Sequence, residues 1–142
     1  MITAAGLDVG ITTGMAVTEI GKGIISRVKH TDNIVYTDQN ELARLVRTFS
    51  IYSVEIVIVE FPLVDPHSTT FKEIQKVLAT WGAALAVIED VIPIVHVKPS
   101  EWKTTHAKLH DLTDLLPPGH YSRHVKDAAR MLYWYSVFKY GK

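Results

Sequence analysis

The chain reads as an α/β layered domain on a mixed five-stranded sheet, with the first three strands antiparallel and helices on both faces. Three observations point there. Three short apolar segments separated by Gly- and Thr-rich turns open the sequence, as in an antiparallel meander. Segments with helical spacing then alternate with apolar runs, the order expected of a layered α/β domain. One of those runs, Val54 to Val59, is apolar at every position but Glu55, which suits a parallel strand covered on both faces.

Taken in order, Thr3 to Val9 reads as a buried strand, Gly10 to Gly14 as a turn, and Met15 to Ile20 as a second strand. Gly21-Lys22-Gly23 marks a tight turn before a third strand, Ile24 to His30. Asp38 followed by Glu41 has the spacing of a capping box, and Leu42, Leu45, Val46 and Phe49 recur on one helical face. After Val54 to Val59, Thr70 and Glu73 mark another helix start. Phe71, Ile74, Leu78, Trp81, Leu85 and Ile88 line one face of a long helix reaching Asp90. A second apolar strip on that helix, Val77, Ala84 and Val87 with Gly82 and Ala83, fits either burial on two sides or a subunit contact. Val91 to Val97 is a strand and Pro99 to Lys108 a short helix. Pro117-Pro118-Gly119 forces a loop, and a last helix runs from Ser122 to Gly141.

The 142 residues suit a single domain spanning positions 1–142, and with 47% of them hydrophobic there is enough apolar material for one core. No apolar run is long enough to cross a bilayer, and the start lacks a secretory pattern, so a soluble cytoplasmic protein with no membrane partner is expected. The absence of cysteine excludes disulfides and thiolate metal sites, so any metal is held by oxygen or imidazole. The net charge is zero, yet from Val97 onward eight Lys or Arg face four Asp or Glu. That asymmetry fits a polyanion-binding surface as well as it fits ordinary solvated helix faces.

The residues that carry chemistry are few. His124 and Asp127 share one face of the last helix, in the run Arg123-His124-Val125-Lys126-Asp127. Asp8 lies inside the apolar run Ala4 to Val9, and Glu60 ends the apolar run Val54 to Val59. Taken singly, each acid has an ordinary explanation: Asp8 as a turn cap, Glu60 as an exposed strand end, Asp127 as a helical ion-pair partner of Arg123 or Arg130. Taken together, they place acids in or beside apolar elements at the beginning, middle and end of the chain. Three converging carboxylates repel unless a cation compensates, and oxygen ligation suits magnesium or manganese. Two such ions about 3.5–4 Å apart can activate a water and stabilise the leaving oxygen of a phosphodiester. His124 would then ligate a metal or handle a proton.

Gly6-Leu7-Asp8-Val9-Gly10 with Thr12, Thr13 and Gly14, the strand-ending Val59-Glu60, and the late His124-x-x-Asp127-Ala128 resemble the RuvC group of Holliday junction resolvases in the RNase H-like superfamily. The resemblance extends through Trp81-Gly82 and Val97-Lys98-Pro99-x-x-Trp102-Lys103, over almost the whole chain, and the size is similar to compact, phage-encoded members. It implies an RNase H-like fold and a crossover junction endodeoxyribonuclease that nicks four-way DNA junctions symmetrically by a two-metal-ion mechanism. Asp8, Glu60 and Asp127 would be the metal ligands, with His124 as ligand or proton handler and Mg2+ or Mn2+ as the ions. It also implies a homodimer paired through the helix Thr70 to Asp90. Lys98, Lys103, Lys108, Arg123, Lys126 and Arg130 would contact DNA phosphates, and Phe61 would either stack on a base or pack into the core. The pair Phe61-Pro62 departs from the polar residue that follows this glutamate in better-known bacterial members.

Three other readings share parts of this pattern: a YqgF-type nuclease acting on RNA, a module that binds branched DNA without cutting it, and a fragment of an actin-like ATPase or sugar kinase. The last resembles the chain only at Asp8-Val9-Gly10-Ile11-Thr12-Thr13-Gly14. It needs a second domain and a second phosphate loop, which this sequence lacks.

Overall fold

A computed structural model describes residues 1–105 and 111–141. The strands are β1 (Ile2–Asp8), β2 (Thr12–Gly21), β3 (Ile24–Ile25), β4 (His30–Val35), β5 (Ile56–Glu60) and β6 (Ile94–Val97). The helices are α1 (Gln39–Ile51), α2 (Phe71–Glu89), α3 (Pro99–Trp102) and α4 (Arg123–Phe138). The sheet runs β3-β2-β1-β5-β6, with β4 also paired to β2. β1 is antiparallel to β2 and parallel to β5, and β5 is parallel to β6. The sheet is therefore mixed, and β5 lies between two parallel neighbours, where its continuous apolar run belongs.

The third strand differs from the expected Ile24 to His30. Pairing with β2 breaks after Ile25, where Thr18 Oγ1 donates to the carbonyls of Ser26 and Arg27, and the Val28 N–H donates to Leu115 O at 2.8 Å. Pairing resumes at His30 and continues to Val35. One edge position is thus filled by two strands, six in all among the described residues.

Alternation along the strands splits the interior into two layers. Ala5, Leu7, Val9, Met15, Val17, Val57 and Val59 face α1 and α2, meeting Leu45, Phe49, Val77, Trp81 and Leu85. Ala4, Ala16, Ile20 and Ile58 face α4 and α3, meeting Trp102, Ala128, Met131 and Leu132. The second layer is thin over β1 and β2 because glycines meet backbone there. A Cβ on Gly14 would stand 2.2 Å from the carbonyl carbon of His124, and one on Gly6 would stand 2.7 Å from Ala128 O. No side chain fits at either position, so α4 rests directly on the strands.

Helix starts follow the sequence in position, but at α2 Thr70 makes no side-chain cap bond. Asp38 caps α1, accepting from the Asn40 N–H at 2.9 Å, but Glu41 does not close the expected capping box; its carboxylate accepts the Val35 N–H instead. Ser122 caps α4, accepting from Val125 N at 3.1 Å and donating to Asn33 Oδ1 at 2.7 Å, which ties the helix to β4. On α2 the buried face is Val77, Trp81, Leu85 and Ile88, so Val77 belongs to the core rather than to the outer strip. The short helix ends at Trp102, earlier than Lys108. Among the described residues, no helix is long and apolar enough to cross a membrane.

Candidate active site

Asp8 and Glu60 end adjacent parallel strands and are register partners. Both side chains project into the layer beneath α4, and both are buried, at 8% and 3% exposure. Neighbouring carboxylates in such a place require compensation. Asp8 receives part of it from α4: Asp8 Oδ2 lies 2.8 Å from His124 Nδ1. Burial pushes the Asp8 carboxyl above its ordinary 3.8; the His124 hydrogen bond opposes this, while the charges of Glu60 and Asp127 raise it further. Glu60 is compensated from the other side. Its Oε2 accepts the Trp102 indole N–H at 2.7 Å, and its Oε1 lies 3.0 Å from Lys103 Nζ.

The local sequence accounts for this arrangement. After β1 the chain turns at Gly10, whose N–H donates to Thr13 Oγ1 at 3.2 Å, and the Val9 N–H donates to Glu60 O at 2.9 Å, binding the ends of β1 and β5 together. The backbone contact over Gly14 brings His124 down onto Asp8. After β6, Pro99 and the Glu101 carboxylate, which accepts the Lys98 N–H at 2.9 Å, start α3, whose last residue is Trp102.

Of the four expected site residues, Asp8, Glu60 and His124 are thus brought together by register and by a hydrogen bond. Asp127 lies one turn beyond His124, close enough for its charge to act on Asp8, and its Oδ1 is 3.7 Å from Arg130 Nη1. Among the described residues, no three His, Asp or Glu side chains are grouped as ligands of one metal ion. The reason is visible at Glu60, whose oxygens turn to Trp102 and Lys103, and at Asp127, which turns to Arg130. In kind, the donors fit a hard divalent cation: buried carboxylates in adjacent register whose repulsion such an ion would relieve.

The basic residues are dispersed. Lys98 and Arg123 are exposed, Lys126 and Arg130 half-buried, and Lys103 is engaged with Glu60. Lys108 lies outside the described residues. Phe61 stacks on His96, with ring centroids 5.6 Å apart. In the sequence Trp102 stands out only as part of the segment Val97 to Lys103, not as a donor; its place directly before Lys103 and shortly after a helix-starting proline is the available signal.

No protein-family model matches the chain, and no curated protein matches it. Solved structures do. The Thermus thermophilus RuvC in complex with a Holliday junction substrate superposes with a TM-score of 0.69 at 20% identity, over 93% of this chain and 91% of that one. The chain has the fold of RuvC. A second T. thermophilus RuvC structure agrees, with a TM-score of 0.68 at 20% identity over 93% of this chain and 92% of that one. The yeast mitochondrial Holliday junction resolvase Ydc2 follows at 0.53, with 10% identity over 94% of this chain and 82% of that one. This is the RNase H-like α/β fold expected from the sequence.

Proposed function

We propose that this protein is a metal-dependent, structure-selective DNA endonuclease that resolves four-way junctions by paired nicks. The observation that carries the reading is the buried Asp8–Glu60 pair, side by side at the ends of two central parallel strands, with His124 bonded to Asp8. Two buried acids in register serve no packing purpose and cost stability, which is the signature of a site kept for chemistry. The likeness to RuvC, one of whose structures holds a Holliday junction substrate, supports DNA junctions as the substrate class.

Asp8, Glu60 and Asp127 would hold Mg2+ or Mn2+; bound there, such ions would activate a water and stabilise the leaving oxygen. The chain's own residues do the rest. His124, fixed through Nδ1, has no partner on Nε2 among the described residues, leaving that nitrogen to exchange a proton with the attacking water or to ligate. Lys98, Lys103, Arg123, Lys126 and Arg130 bind phosphates and give affinity that falls with salt. Phe61, at the exit of β5, offers a stacking face.

A twofold substrate calls for a twofold enzyme, and we propose a homodimer paired through α2. On that helix and just after it, Val87 and Val91 are 70% and 82% exposed. They border a groove of about 700 Å³ between α1 and α2, lined by Leu42, Val46, Ala84 and Ile92 as well. Incubation with Mg2+ should cut a four-way junction into nicked duplexes while sparing a linear duplex and structured RNA. Asp8→Asn should abolish cutting and keep junction binding in a gel shift. Cleavage by Asp8→Asn at the wild-type rate, or undiminished cleavage in EDTA, would overturn the assignment.

A further inference from the structure

The two oxygens of Glu60 have partners of different kinds. Oε2 accepts from Trp102, whose side chain is fully buried among the residues packed between the sheet and α4. Oε1 faces Lys103, whose side chain is 34% exposed and carries its ammonium on a flexible stem. One oxygen is therefore held by an immobile neutral donor and the other by an exchangeable cation. Burial alone does not explain the indole bond. Trp81 is equally buried, and its Nε1 has no partner among the described residues, so this fold tolerates an indole without an acceptor.

We infer that Trp102 is a positioning residue for Glu60: its indole N–H fixes Oε2 and reserves Oε1 for a divalent cation, which takes the place of the Lys103 ammonium. The inference rests on the reading of Glu60 as a metal ligand. A donor bonded to a ligating carboxylate sets its orientation, and removing such a donor characteristically weakens metal affinity about 10- to 100-fold. The displaced Lys103 then becomes available to the phosphates of the substrate.

The test uses the intact protein labelled with 15N-tryptophan. In EDTA the Trp102 indole resonance, assigned from Trp102→Phe, is expected to lie downfield and to move upfield in Glu60→Gln, with the Trp81 and Trp134 signals unmoved. Mn2+ affinity, measured by electron paramagnetic resonance, is expected to fall about 10- to 100-fold in Trp102→Phe, with a lower kcat and unchanged KM on a four-way junction. Benzothienylalanine at position 102 keeps the ring shape without the N–H and gives the same loss if Trp102→Phe fails to fold. An indole signal indifferent to Glu60→Gln, or a benzothienylalanine variant that binds Mn2+ as tightly as wild type, overturns the inference and leaves the nuclease reading standing. A wild-type protein that neither binds Mn2+ nor cuts the junction overturns both.

Discussion

Asp8 carries an electrostatic cost that the protein would be more stable without. Burial and the charges of Glu60 and Asp127 hold its carboxyl above the ordinary 3.8, with the His124 bond opposing them. The native state therefore binds this proton more tightly than the unfolded chain does, and stability falls as pH rises from 3.8 through the raised value. In EDTA at neutral pH, Asp8→Asn should unfold at a higher temperature than wild type, although it loses cleavage in Mg2+, and the thermal difference should vanish below pH 3.8. A scanning calorimetry series across acid pH checks the sign. The acids were legible because each interrupts an apolar run. The partners of Glu60 were not, since Trp102 stands 42 positions away and nothing local links the two.

Among the elements, α4 decides whether a site exists, and it is seated by missing side chains. A methyl group on Gly14 would meet the His124 and Val125 backbone at 2.2 and 2.3 Å, and no rotamer change relieves a contact with backbone. Gly14→Ala should lower stability by about 3 kcal/mol or more in urea titration and should separate His124 from Asp8. At α1, Asp38→Ala should cost about 1 kcal/mol, since it removes the acceptor of the Asn40 N–H. Periodicity located α1, α2 and α4 within a few residues because each buries one stripe. It missed the break in the third strand because Val28 pairs with Leu115, a contact that local pattern cannot contain. Glu41 likewise satisfied the capping-box spacing yet found the Val35 N–H, a competitor supplied by the end of β4.

At the scale of the molecule, the proposed function would depend on charge and on pairing of copies. Junction affinity should fall steeply with salt, and Lys98→Ala or Arg123→Ala should each reduce the slope of log affinity against log salt by about 1, as fluorescence anisotropy would record. Val87→Glu should convert a dimer to a monomer in analytical ultracentrifugation and abolish paired nicking, because an apolar contact cannot absorb an unpaired charge. The layered order of strands and helices was readable from the alternation of patterns, whereas the outer face of α2 was not, since Val77 turned inward and Val87 outward. The Asp8–Glu60 register has a further consequence. Side chains alternate in and out along β1, so removing a single residue before Asp8 would send the carboxylate into the greasy layer under α1 and α2 and bring Leu7 or Val9 to the floor of the candidate site. Such a deletion would not yield an inert but well-folded scaffold. The alternation that closes the interior also decides which side of the sheet carries the acid.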